Sequence, residues 1–231
     1  MFKRTTPGPA PDASRTSDPN QQQLLGLNLD FLHALRTAQH TSTTAVRAEL
    51  RLPEAQATAL ANCSSEALTR MASCGYSLFS LNLHRIDEWL HLARQSAVVS
   101  NSSGETTGAT PHTQDTLAMQ VGNFMQCAVF FAWHLAQQNP QAARLMLGMS
   151  EDTAAVLRGM NLGHCRHIAQ RYTKLLSPRW LHNRFFWPDL LCYAVSGEAE
   201  HFRFAQLLST QLVAQDLEPS AIARLSSIEP D

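Results

Sequence analysis

The sequence predicts an all-α protein, or nearly so, made of two tandem helical units. Each unit has at most a short strand, and the two associate within one chain as a pseudo-dimer. Three observations predict this. First, the chain repeats itself. Aligned without gaps at a constant offset of 97 residues, Ala45, Arg47, Leu50, Glu54, Ala57 and Leu60 meet Ala142, Arg144, Leu147, Glu151, Ala154 and Leu157. The register runs on through Ala72/Ala169, Leu78/Leu175 and Ser80/Ser177, and such repeats mark structural units that complete each other's cores. Second, an apolar stripe at three- and four-residue steps precedes each copy: Leu24, Leu27, Phe31, Leu32, Leu35 and Ala38, then Leu117, Val121, Phe124, Ala128, Phe131 and Leu135. That spacing is one face of a helix. Third, residues 95–115 have the composition of a linker. A flexible chain of that length spans roughly 25 Å, enough for two small units to lie side by side.

The whole-chain figures are compatible with this division. At 231 residues and 44% hydrophobic content the chain can bury a core, and no apolar run approaches the roughly 20 residues of a membrane helix. The opening residues MFKRTTPGPAPDASRTSDPNQQQ have no apolar centre of the kind a secretory signal carries. Five cysteines, odd in number and without a CxxC pair, suit a reducing cytoplasm. A net charge of −1 argues against a general polyanion binder while leaving local patches open.

In chain order, residues 1–21 are rich in Pro, Ser, Thr and Gln and read as a disordered arm. The first unit, 22–94, opens with a helix near Gln22, which the polar run 40–44 interrupts. Pro53 suits the first turn of the next helix, where the missing N–H costs nothing. Ser64 or Ser65 is placed to cap EALTRMA, and Gly75 ends it. YSLFSLNL (76–83) alternates as a short strand, and Trp89, Leu90, Leu92 and Ala93 close the unit on a helix. After the linker, 116–195 repeats the plan. Ser150 and Asn161 are its helix caps, and 177–194 stands in the place of the strand and closing helix. Residues 196–231 add a helix over about 198–214 with no counterpart in the first unit, and a fraying tail from Glu218.

Catalysis has little support: no G-x-S-x-G, HExxH, P-loop or paired-carboxylate pattern occurs, and Asp30, Glu54 and Glu151 read as helix-start charges. The chain is therefore expected not to be an enzyme, with no cofactor. His164-Cys165-Arg166-His167 is the most metal-like cluster, since His164 and His167 share a helix face. The repeat, however, sets Cys165 opposite Leu68, which favours a core cysteine flanked by surface histidines. The clearest electrostatic feature runs from Thr153 to Pro188. It carries Arg158, Arg166, Arg171, Lys174, Arg179 and Arg184 with no Asp or Glu, and five aromatics are interleaved. These six are the candidate contacts for DNA phosphates or for an acidic partner. PEAQATALANCSSEALTRMA looks like a helix–turn–helix, yet its second helix offers only Glu66, Thr69 and Arg70 for base readout, so packing explains it better. RFFWPDLL reads as core or interface.

The series Asn28-Leu29-Asp30-Phe31-Leu32, then Ala45 to Leu52, Glu54, Ala57-Thr58-Ala59-Leu60, Leu68 to Ala72 and Leu78-Phe79 resembles the FlhD family of flagellar transcriptional activators. The likeness covers 28–92 and, through the repeat, 123–193, where Arg144 to Gly148 keeps the family's Arg-Leu-Gly turn better than the first copy does. The resemblance implies an all-helical protein apart from a short strand. It also implies two fused FlhD-like units acting with a zinc-containing FlhC-like partner to bind promoter DNA and recruit RNA polymerase. The family's linking cysteine is replaced by Phe79 and Leu176, so an inter-subunit disulfide is not implied. The genes served would be flagellar or those of another large assembly, and further oligomerisation stays open. A different class of protein also fits: a helical adaptor or chaperone-like accessory of a secretion or motility system, with the basic aromatic segment as its docking face.

Overall fold

The computed structural model describes residues 18–40, 50, 52–81, 113–171 and 176–226; for 39–40, 113–116, 171, 199, 201 and 218–226 it describes the backbone alone. Among these residues the helices are α1 (Pro19–His40), α2 (Glu54–Ala61), α3 (Ser65–Ala72), α4 (Thr113–Gln138), α5 (Pro140–Leu147), α6 (Glu151–Gly159), α7 (Leu162–Arg171), α8 (Phe186–Ser196) and α9 (Ala199–Ser226). Two three-residue strands, β1 (Phe79–Leu81) and β2 (Leu176–Pro178), complete the fold. The protein is mostly helical, as the periodicity predicts. No helix among the described residues is long and apolar enough to cross a membrane.

Local chemistry sets the helix boundaries. The Ser64 hydroxyl accepts from Ala67 N at 3.1 Å and starts α3, and the Asn161 Oδ1 accepts from His164 N at 2.9 Å and starts α7. These are the cap positions predicted for the two copies. Ser150 caps α6 through Thr153 N, whereas Pro53, at the corresponding place before α2, has no side-chain cap. Gly148 ends α5 in the left-handed region (φ 65), where its N–H reaches Arg144 O, a conformation that carries no Cβ penalty in glycine.

The sequence offset recurs in the elements. Glu54 and Glu151, Ser65 and Leu162, and Phe79 and Leu176 begin corresponding elements, each pair 97 residues apart. In each half the long helix packs on the short helices of its own half, α1 on α2 and α3, and α4 on α5, α6 and α7. Between the halves, α1 lies along α4, and β1 pairs antiparallel with β2 so that Ser80 faces Ser177. Around that pairing Phe79 sits between Phe31 and Phe124, ring centroids 5.7 and 5.0 Å away. The buried apolar residues of both halves form one contiguous cluster. α8, from the second half, crosses to pack on α2 and α3 of the first. There Arg70 Nε donates to Ala194 O at 2.8 Å, placing a cation on the last turn of α8 where the helix dipole favours it.

Several boundaries depart from expectation. The extended segment 76–83 forms a strand only over 79–81 among its described residues, because the N–H groups before it serve other partners. Ser77 N donates to Met146 O, and Leu78 N to Asn28 Oδ1. Asn28, fully buried on α1, also donates from Nδ2 to Ala72 O and Tyr76 O at 3.1 and 2.7 Å. It thereby pins the α3–β1 turn to the long helix. The tail expected to fray from Glu218 instead continues α9 to Ser226, and the linker's last residues, from Thr113, already belong to α4. The predicted arm up to residue 17, the interruption at 41–44, the first unit's closing helix and the linker up to residue 112 lie outside the described residues.

Candidate interaction surface

The six basic candidates do not share one environment. Arg158, in the last turn of α6, Arg166, on α7, and Arg184, in the turn before α8, are exposed. Arg171 ends α7, with its side chain outside the description, and Lys174 lies outside the described residues altogether.

Arg179 is a correction to the predicted surface set, because only 4% of it is exposed. Its guanidinium donates from Nη1 to Ser77 Oγ and Met146 O at 3.2 and 3.4 Å, and from Nη2 to Asp216 Oδ2 at 3.1 Å. It packs on Gly148, where any side chain would collide with it. Burial lowers the Arg179 pKa, and the nearby Asp216 carboxylate opposes that shift. A charge so placed is engaged by the protein's own groups and holds structure together. Asp216 also accepts from Trp180 Nε1 at 2.8 Å, and Tyr76 Oη bonds Thr210 Oγ1 at 3.1 Å. These contacts fasten α9 beside the strand pair.

Arg179 begins a tightly built turn. Trp180 adopts φ 54, a left-handed conformation that costs a non-glycine residue roughly 1–2 kcal/mol. Four contacts hold it there. Its indole bonds Asp216, its carbonyl accepts from Asn183 N at 2.9 Å, its ring meets Phe186 at 4.7 Å, and the Arg179 guanidinium lies 4.1 Å from its centroid. Trp187 Nε1 donates to Arg179 O at 2.9 Å, and Asn183 Oδ1 accepts from Phe185 N and Phe186 N to start α8. Of RFFWPDLL, Phe186, Trp187, Leu190 and Leu191 are core, as the pattern suggests. Phe185 is not: it is 53% exposed, under the Arg184 guanidinium at 4.5 Å. Leu181, His182 and Arg184 are exposed beside it. Sequence reading missed this turn, whose only signal was the basic aromatic composition of SPRWLHNRFFW.

An open groove of about 720 Å³ runs beside Arg179, lined in part by Ser80, Met149, Ser150, Trp180 and Asp216. Its arginine and carboxylate are spent on each other. Cys165 is buried in the core, as its repeat position predicts, and burial pushes its thiol up to about 11. His164 and His167 are half-buried, where surface positions were expected. Among the described residues no three His, Cys, Asp or Glu side chains are grouped to hold a metal.

Compared with protein-family models, with curated proteins and with solved structures, the chain matches none.

Proposed function

We propose that the chain is a transcriptional activator subunit made of two fused FlhD-like units, an intrachain pseudo-dimer. It works in the cytoplasm with a zinc-containing FlhC-like chain, bound to promoter DNA and recruiting RNA polymerase. The observation that carries the reading is the pairing of β1 with β2. Residues equivalent under the repeat, Ser80 and Ser177, stand directly opposite each other in an antiparallel register. An antiparallel pair of equivalent strands is what a local twofold axis produces, and a twofold is the commonest way two like units associate. The matched caps at Ser64 and Asn161 and the packing of α1 along α4 support the same reading. With Arg179 buried, Arg158, Arg166 and Arg184 are the described candidates for phosphate or partner contact, and the partner supplies most of the base recognition. The reading assigns no catalytic role.

The test is co-expression with an FlhC-like chain from the same cell, then size-exclusion chromatography and promoter binding over a salt series. The reading expects a stable heteromer whose affinity for DNA falls steeply as salt rises. A chain that stays alone when its partner is present, and is retrieved instead with secretion or motor components, sinks it in favour of the adaptor. The exposed apolar side chains Leu181, Phe185, Phe204 and Leu207 are the feature that favours that second reading.

A further inference from the structure

We infer that the turn 181–185 is a preformed docking knob for a partner protein, seated in an apolar pocket rimmed by carboxylates. This rests on the heteromeric reading above and names the surface that reading would use. Three observations lead to it.

The first is conformational. Strained backbone persists where the surroundings over-determine it, and such places cluster at functional sites. Trp180 is held left-handed by a carboxylate, a backbone bond, a ring contact and a stacked guanidinium. Arg179, Trp180, Phe186 and Trp187, which flank the tip, and Asn183 within it are each anchored, so the tip is presented in one shape and little is left to order on binding.

The second is what the tip presents. Phe185 is 53% and Leu181 37% exposed, although the two residues after the turn, Phe186 and Trp187, are buried. Arg184 lies over the Phe185 ring. An exposed aromatic with an arginine across its face is the kind of anchor that dominates protein interfaces. Phosphate backbone offers Phe185 and Leu181 nothing to bury against, so these side chains favour a protein over DNA.

The third is charge. The knob presents Arg184, with His182 beside it, at its surface, while the nearest acid in sequence, Asp189, is half-buried in the first turn of α8. A complementary pocket is therefore apolar at its floor and acidic at its rim. The groove beside the strands of a second copy fits poorly, because it already pairs its carboxylate, Asp216, with Arg179.

The experiment measures binding of the purified full-length chain to the purified FlhC-like chain by calorimetry at two salt concentrations. The variants are Phe185→Ala, Arg184→Glu, and the two combined, with Arg203→Glu, an exposed arginine on α9 outside the candidate contact set, as the control. The inference expects at least about a tenfold loss for each single knob variant. It expects a larger loss for the pair, a weaker salt dependence once Arg184 is reversed, and no change for the control. Melting temperatures must stay at the parent value, since both side chains are exposed; a variant that melts early is replaced by Phe185→Ser or Arg184→Ala. Knob variants that bind like the parent overturn the inference and leave the heteromeric reading standing. A parent chain that does not bind the FlhC-like chain removes both. If Arg184→Glu leaves the heteromer intact but weakens its grip on a promoter fragment, the turn is a nucleic-acid contact and the inference is wrong.

Discussion

Replacing Asp216 with alanine tests the Arg179 lock most directly. The substitution leaves a guanidinium that is 4% exposed with Ser77 Oγ and Met146 O but without its counter-ion, and it leaves the Trp180 indole N–H without an acceptor. Removing one partner of a buried ion pair costs about 3–5 kcal/mol. The Asp216 side chain is itself 35% exposed, so water relieves part of the loss, and about 2–3 kcal/mol is the working figure. Arg179→Met should cost less, about 1–2 kcal/mol, because the apolar chain fills the site and the orphaned carboxylate hydrates. The double variant should resemble Arg179→Met, since nothing charged is then left buried; the order of the three matters more than any one value. Urea unfolding followed by tryptophan fluorescence reads it, Trp180 and Trp187 both lying at the lock. For a chain of this size a loss of 2–3 kcal/mol lowers Tm by roughly 4–12 °C. If Asp216→Ala costs under about 0.5 kcal/mol, the pair is no more than an ordinary surface contact and the burial of Arg179 does not carry the weight given to it.

Asn28→Ala should cost about 2–4 kcal/mol, since it strips partners from Leu78 N, Ala72 O and Tyr76 O in the buried turn before β1; denaturant midpoints read the loss, and a neutral result would mean water replaces the amide. Of the five cysteines, Cys127 and Cys192 are exposed and should react quickly with a thiol reagent at pH 8. Cys63, Cys74 and Cys165 should react only on unfolding: burial raises all three thiols, Cys74 and Cys165 to about 11, so little thiolate exists below that pH. Mass spectrometry of the labelled peptides checks the order, and early labelling of Cys74 or Cys165 would contradict the packing.

Helices and caps were legible because their signals are local: three- and four-residue apolar steps, and a polar side chain just before each run. The strand was read too long because Ser77 and Leu78 alternate like strand residues, while their N–H groups are claimed by Met146 O and Asn28 Oδ1, contacts no window of sequence contains. Arg179 was misplaced for a similar reason. Counting charges from Thr153 to Pro188 found no acid, but the acid that neutralises it, Asp216, lies beyond that window on α9. The contacts that anchor α9, Tyr76 to Thr210 and Asp216 to Arg179 and Trp180, are long-range and so were not legible in the local pattern. The repeat offset was the one long-range signal that sequence did carry, and it recurs in the element boundaries.

β1 and β2 belong to one chain, so their meeting is a first-order event. Two separate subunits would part on dilution, whereas this pairing closes a loop, and the cost of loop closure grows only with the logarithm of loop length. The junction therefore holds equally well at any protein concentration. On the proposed reading of the chain as two fused units, covalent joining also frees each side to change without its counterpart following. Asn28 has Met125 at its repeat position, and Arg179 has Asn82. A homodimer would have to carry any such residue on both faces of its axis, including where it harmed packing. A fused chain can place a buried amide on one side and an anchored arginine on the other, so its two ends can present different surfaces.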